Sequence, residues 1–273
     1  MYCSDYHLHT LISSDSPASL EQQVLSGLNA GLHELCVTDH WNLLDQLANP
    51  LPHTRDWSAS IAQLRNARQQ FGDQLEIRLG VEVGNGEIDP EGVLEGLTQA
   101  GKDLDFVIGS LHNMSLGSGG LGIYTAAHRC RELAEGIALL EDYMDTLHAL
   151  AATNTFDVLG HVIYPLRYLP QQWQLSLDPY EDQLRTLFYA LIQSGRGIEF
   201  NTTQGHTIDE WTPVLKLYRD CGGEIITIGS DAHHPGQAGA GFHNAAALLQ
   251  SLGFRWHCTY RERKPFFHPL DSL

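Results

Sequence analysis

The sequence predicts an α/β protein built around one parallel sheet, either closed as a barrel or open and doubly wound. Short apolar runs alternate with longer amphipathic stretches from end to end, giving seven strand–helix units with short connections. At 273 residues the chain is within the range of a single α/β barrel. No stretch has the composition of an interdomain linker, so residues 1–273 are read as one domain.

Taken in order, residues 2–8 read as the first strand. Asp15-Ser16-Pro17 offers a cap and a proline for a first helical position, opening a helix to about Ala30 that Gly31 closes. Residues 34–37 form the second strand and run into Thr38-Asp39-His40. A proline-bearing loop at 49–56 leads to helical spacing over 57–71 and a third strand over 76–83. A helix over 90–100 precedes the fourth strand, 106–110, which ends at Leu111-His112. The glycine-rich piece 117–122 is too irregular for a phosphate-binding fingerprint and is expected to be a loop. One long helical pattern covers 125–152. The fifth strand, 156–160, leads to His161. A helix over 179–194 precedes the sixth strand, 197–200, which ends at Asn201-Thr202. A helix over 211–221 leads to the seventh strand, 224–229, and Ser230-Asp231-Ala232-His233. A last helix, 243–252, precedes a tail carrying Arg261, Arg263 and Lys264.

Composition narrows the function. Lys+Arg 16 against Asp+Glu 33 leaves a formal charge of -17, which repels nucleic acid and anionic membranes. Any anionic substrate must therefore be attracted locally, as by bound metal. Five cysteines, odd in number and without C-x-x-C spacing, point away from a disulfide framework or zinc ribbon and towards a reducing compartment. The N-terminus has no basic segment followed by an apolar stretch, and no apolar run approaches the ~20 residues of a membrane helix. A cytoplasmic protein is expected.

Fifteen histidines are many, and their positions are informative. His7 and His9 lie two apart on a strand, so both imidazoles share a face. His7/His9, His40, Glu82, His112, His161 and Asp231/His233 fall at the carboxyl ends of six of the seven expected strands. In a closed barrel those ends gather on one face. With Asp15, six histidines and three carboxylates suffice for two or three divalent ions, at about 3.5–4 Å for a bridged pair. Each residue also has a plainer reading. Asp15 could cap the following helix, and His40, His112 and His161 could be hydrogen-bonded histidines beside a sheet. Glu82, after an apolar strand, would be costly to bury without a cation. The other histidines read as surface or structural, except His206, which follows the sixth strand and is kept as a substrate-binding candidate. Arg167, six residues past His161, is the candidate phosphate clamp, because guanidinium binds phosphate oxygens bidentately.

The ordered motifs DYHLHT, TDH, GVE, GSLH, GHV, EFNTT and GSDAH resemble the PHP (polymerase and histidinol phosphatase) superfamily nearly end to end. GFHNAAALLQSLGF and RERKP look like its histidinol-phosphate phosphatase branch. The resemblance implies a distorted seven-stranded (β/α)7 TIM-like barrel with a trinuclear site. His7, His9, Glu82 and Asp231 would hold the first metal. Glu82 would bridge to a second, held by His112 and His161, and Asp15, His40 and His233 would hold the third. The metals are zinc, iron or manganese in relatives.

The implied reaction is hydrolysis of L-histidinol phosphate, a step of histidine biosynthesis, by a metal-bridging hydroxide. Glu82, Asp231 and Arg167 form its catalytic set, and inorganic phosphate is a product. Three divalent ions, three carboxylates and a hydroxide leave a net of about +2, suited to a phosphate dianion. One departure bears on the substrate. Histidinol phosphatases tend to carry an arginine shortly after the Asn-Thr pair, whereas this chain runs Asn201-Thr202-Thr203-Gln204-Gly205-His206. Another small phosphomonoester, a nucleotide or phosphodiester, and a non-catalytic metal-binding domain are the competing readings.

Overall fold

The computed structural model describes residues 1–270. In chain order the elements are β1 (Ser4–Asp5), α1 (Leu20–Asn29), β2 (Glu34–Val37), β3 (His40–Asn42), α2 (Ser58–Phe71), β4 (Glu76–Gly84), α3 (Pro90–Gln99) and β5 (Phe106–Ser110). There follow α4 (Ile123–Arg129), α5 (Leu133–Ala151), β6 (Val158–Leu159), α6 (Glu181–Gln193), β7 (Gly197–Asn201), α7 (Thr212–Asp220), β8 (Ile226–Gly229), α8 (Phe242–Ser251), β9 (Trp256–Arg261) and β10 (Lys264–Pro269).

Seven parallel strands run in the order β1-β2-β4-β5-β6-β7-β8. The two edges meet: Tyr6 N–H donates to the Ile228 carbonyl, His9 N–H to that of Ala232, and Leu8 bridges Ala232 in parallel. The sheet is thus a barrel rather than an open, doubly wound one. Strands buried on both faces read as continuous apolar runs, and β2, β5, β7 and β8 are buried at every position. The amphipathic helices cover the outside with residues such as Leu64, Leu147, Leu187 and Leu215.

Four local differences from the sequence reading have identifiable causes. First, α1 is capped by Ser19 rather than by the Asp15-Ser16-Pro17 segment. Ser19 Oγ accepts the Gln22 N–H at 3.2 Å, and Gln22 Oε1 accepts the Ser19 N–H at 2.9 Å, a reciprocal capping box. Ser16 Oγ instead donates to the His233 carbonyl at 2.7 Å, across the barrel closure. Second, the long helix expected over 125–152 is broken. Glu132 starts α5 afresh, its N–H donating to Glu135 Oε2 at 3.1 Å. Third, His40–Asn42 forms an additional short strand beside β4, in register His40↔Glu82.

Finally, the tail is an antiparallel hairpin of β9 and β10. Its turn residues Glu262 and Arg263 both have positive φ, a geometry usually signalled by Asn-Gly. Cys258 and Tyr260 of β9 pack on Tyr6, Phe106 and Val158 inside the barrel. The Glu262 and Arg263 N–H groups donate to Asp105, just before β5. The hairpin therefore covers the amino ends of the strands and leaves the carboxyl ends as the open face.

Candidate metal centre

All nine sequence-selected ligand residues converge at the carboxyl face. His7 and His9 flank Leu8, whose bridge to Ala232 keeps this stretch extended, so the two imidazoles point the same way. Their Nε2 atoms are 3.1 Å apart. Asp231 Oδ1 lies 3.5 Å from the first and 3.4 Å from the second, and Glu82 Oε2 lies 3.3 and 3.7 Å away. On the neighbouring side, His112 Nε2 and His161 Nε2 are 3.3 Å apart, and Glu82 Oε1 is 3.0 Å from one and 2.9 Å from the other. At the rim, Asp15 Oδ2 is 3.3 Å from His40 Nε2 and 3.5 Å from His233 Nε2. His40 Nδ1 in turn faces Glu82 Oε2 at 2.7 Å, as the β3–β4 register requires. Glu82 is thus shared by every subgroup.

The donor chemistry fits divalent metal. Imidazole nitrogens face one another at 3.1–3.3 Å in two places, in a region where His7, His9, Glu82 and His161 are essentially inaccessible to solvent. Glu82 Oε2 and His40 Nδ1, both buried, have each other at 2.7 Å but are not aligned for a hydrogen bond. Donor atoms that converge this closely away from water are unfavourable unless a proton or a metal cation lies among them. Three sets of donor atoms lie within 4.8 Å of one another: His7/His9/Glu82, His40/Glu82/His112 and His9/His40/His233. A mixed imidazole and carboxylate set of this kind suits zinc, iron or manganese.

The PHP domain model matches residues 5–203. The chain belongs to the PHP domain family. A probable histidinol-phosphatase of Deinococcus radiodurans is 29% identical to this PHP protein, over 95% of this chain and 97% of that one. The histidinol-phosphatase of Lactococcus lactis is 23% identical over 95% of each. A crystal structure of the Lactococcus lactis histidinol phosphate phosphatase, complexed with zinc, L-histidinol and phosphate, superposes with a TM-score of 0.80 at 21% identity, covering 97% of this chain and 98% of that one. A putative histidinol phosphatase of Listeria monocytogenes superposes with a TM-score of 0.71 at 15% identity, covering 88% and 99%. These superpositions carry the fold: a PHP barrel.

Arg167 sits beside the PHP cluster at the end of a short 3-10 turn, its side chain 7% exposed. Nη1 approaches Asp231 Oδ2 at 3.4 Å, and the guanidinium lies over the Tyr164 ring at 5.5 Å, while Nε and Nη2, on the other edge of the fork, have no hydrogen-bond partner among the described residues. A buried guanidinium with one edge free is a ready anion receptor. His206 does not join the ligand cluster. It is exposed and lines a separate cavity of about 530 Å³ with Arg167, Thr203 and Glu210. The cluster of candidate ligands itself opens into a pocket of about 180 Å³ walled by Tyr164 and Tyr168.

Several supporting residues are not evident from the sequence. Ser110 Oγ donates to Glu82 Oε1 at 2.7 Å, and Asn42 Oδ1 lies 2.9 Å from His112 Nδ1. The Asn42 oxygen accepts Nδ1–H and leaves Nε2 as the lone-pair nitrogen. That contact depends on Gly84, where an added Cβ would collide with Asn42 Oδ1 and His112 Nδ1. Asn201 Nδ2 donates to Asp231 Oδ2 at 3.2 Å. Asp231 has a left-handed backbone, φ 59°, which costs of order 1–3 kcal/mol in a non-glycine residue. Its N–H bond to the His7 carbonyl, 2.7 Å, holds it there.

Electrostatics follow the same pattern. Burial raises the Glu82 carboxyl, but the facing His7, His112 and His40 imidazoles outweigh it and hold the group well below the usual carboxylate range. Asp231 is likewise held low against burial, by His7, His9 and His233. Burial pushes His9 and His112 down, favouring neutral imidazole, whereas His7, His40 and His233 are raised against burial by the carboxylates that face them.

Behind the cluster, Asn85 Oδ1 accepts the N–H groups of His112 and Asn113, and its Nδ2 donates to Glu87 Oε1 at 2.9 Å. Burial pushes the Glu87 carboxyl up to about 7, and Oε2 has no hydrogen-bond partner. A raised carboxyl contributes stability that is fully present below its unfolded value and lost as pH rises through the folded one. Between about pH 4.5 and 7, ionisation of Glu87 is therefore expected to cost at most about 3 kcal/mol. Urea unfolding at pH 5 and pH 8 should show wild type losing stability relative to Glu87→Gln. Parallel profiles would contradict this.

Proposed function

We propose that this protein is a metal-dependent phosphomonoesterase whose substrate is L-histidinol phosphate. The observation carrying this reading is the convergence of six imidazoles and three carboxylates at the barrel mouth, with the buried Arg167 guanidinium beside one of those carboxylates, Asp231. His7, His9, Glu82 and Asp231 would hold one ion, Glu82, His112 and His161 a second, and Asp15, His40 and His233 a third. When bound, such ions supply Lewis-acid chemistry: they stabilise charge on phosphoryl oxygens and generate hydroxide at neutral pH.

The chain's own residues do the rest. The Nε and Nη2 edge of Arg167 binds phosphoryl oxygens and orients phosphorus for in-line displacement. Asp231 Oδ2, supported by Asn201, holds the opposite edge of that guanidinium. Ser110 and Asn42 fix the rotamers of Glu82 and His112, and Tyr164 and Tyr168 wall the pocket and limit bulk water. The chain's formal charge of -17 disfavours nucleic-acid substrates. The choice of histidinol phosphate rests on the full-length relatives of that name.

A phosphate-release panel with zinc-, iron- or manganese-supplemented protein tests the substrate. L-histidinol phosphate is expected to be the best substrate by at least about tenfold in kcat/KM, with no cleavage of short single-stranded nucleic acid. Good turnover of another phosphomonoester, with none of histidinol phosphate, would overturn the substrate and leave the reaction class.

A further inference from the structure

Glu199, on β7, is fully buried and is not one of the ligand residues, yet it touches two of them. Its Oε1 lies 2.5 Å from His7 Nδ1, the ring nitrogen facing away from the ligand cluster, and also accepts the Asn201 Nδ2–H at 3.2 Å. Its Oε2 accepts the backbone N–H of His161 at 2.9 Å. His161 has φ 20°, outside the ordinary range for a non-glycine residue. One carboxylate thus braces a histidine of the His7/His9 subgroup and a histidine of the His112/His161 subgroup. The packing makes room for it: a Cβ at Gly229 on β8 would stand 2.5 Å from Glu199 Oε1 and would strike His7.

We propose that Glu199 is a positioning residue of the metal centre. It holds His7 with Nδ1 protonated, so that Nε2 presents its lone pair to the ligand cluster, and it pins the strained backbone of His161 so that the two subgroups keep their spacing. A carboxylate accepting from the far nitrogen of a ligating imidazole fixes its orientation and raises its basicity. This inference rests on the metal reading above and adds an interaction outside the ligand set.

The geometry makes glutamine a discriminating substitution. Glu199 acts as an acceptor through both oxygens, whereas Glu199→Gln offers one acceptor and one donor. With its oxygen towards His161, its amide opposes His7 Nδ1 and drives the proton to Nε2, the ligating atom. With its oxygen towards His7, it opposes the His161 N–H.

The test is zinc content and affinity of the folded protein, measured by competition with a graded chelator, on wild type, Glu199→Gln and Glu199→Asp. Nitrogen-15 histidine NMR of the zinc-loaded proteins is recorded alongside, and the His7 signals are assigned by their loss in His7→Gln. Wild type should show a downfield, exchange-protected Nδ1 proton at His7. Glu199→Gln should lose that proton and bind at least one zinc about 10–100-fold more weakly. Glu199→Asp, which keeps the acceptor but not the reach, should lie between. Glu199→Gln with wild-type zinc affinity overturns the proposal, as does wild type lacking the Nδ1 proton, a result that needs no variant to fold. A fall only in the thermal midpoint of metal-free Glu199→Gln assigns Glu199 to packing and also overturns it. Wild type that holds no zinc, iron or manganese overturns the metal reading and this inference together.

Discussion

Glu82→Ala is expected to abolish phosphatase activity, lowering kcat by about 10³-fold or more, and to release metal from purified protein. The size of the effect follows from position. Glu82 is 1% exposed, and its two oxygens face His7, His9, His40, His112 and His161 at 2.7–3.7 Å. No other carboxylate in the cluster reaches all three subgroups. Deleting it removes the bridging anion and leaves five imidazoles without the charge that balances bound cations. Glu82→Gln, nearly isosteric, should retain the wild-type far-ultraviolet circular dichroism and still lose metal. A Glu82→Ala protein with full metal content and activity within tenfold of wild type would contradict the role assigned to it.

Arg167→Ala carries the second large effect, about 10²–10³-fold in kcat/KM for histidinol phosphate, with metal content unchanged. Two charge-assisted hydrogen bonds to phosphate, at about 1.5–3 kcal/mol each, account for a loss of that order. Arg167→Lys should recover little, because an ammonium cannot present the paired donors of the Nε and Nη2 edge. Inhibition by inorganic phosphate should weaken in parallel. If Arg167 served only to neutralise Asp231, the alanine variant would instead shift metal affinity and leave the phosphate inhibition constant where it was.

The convergence of the candidate ligands was legible in the sequence because metal chemistry restricts residue types. His-x-His and Asp-x-His at strand ends, and a glutamate in an otherwise apolar strand, have few inexpensive alternatives once buried. The parallel sheet was legible for a similar reason, since runs such as Phe106–Ser110 must be covered on both faces, but that burial is common to barrels and open sheets and left closure undecided. Glu199 escaped notice although it sits in Ile198-Glu199-Phe200 and invites the same argument from burial as Glu82. The difference is that its partners are a ring nitrogen and a backbone N–H, which no spacing rule identifies. Asn42, Asn85 and Ser110 escaped because short polar residues after strands read as ordinary turns. The break before Glu132 has no glycine or proline to mark it, and the helical pattern runs through it. The tail hairpin turns on Glu262-Arg263, residues whose types do not announce a positive φ. The arginine expected after the Asn201-Thr202 pair is absent here, and Gln204 in that loop spends its amide on the Ser230 and Asp231 carbonyls instead. In the proposed reaction, substrate anion binding would therefore fall more heavily on Arg167.

The central claim is that the strand-end cluster is a multinuclear metal centre that hydrolyses a phosphomonoester. The most direct measurement is elemental analysis of protein purified without chelator, then stripped and stepwise reloaded, with phosphate release from L-histidinol phosphate assayed on the same samples. The account predicts about three divalent ions per chain at saturation, no activity in the stripped protein, and activity that returns with metal content. Phosphate release at the wild-type rate by protein with no bound metal, or a chain that takes up no divalent metal at all, would contradict it.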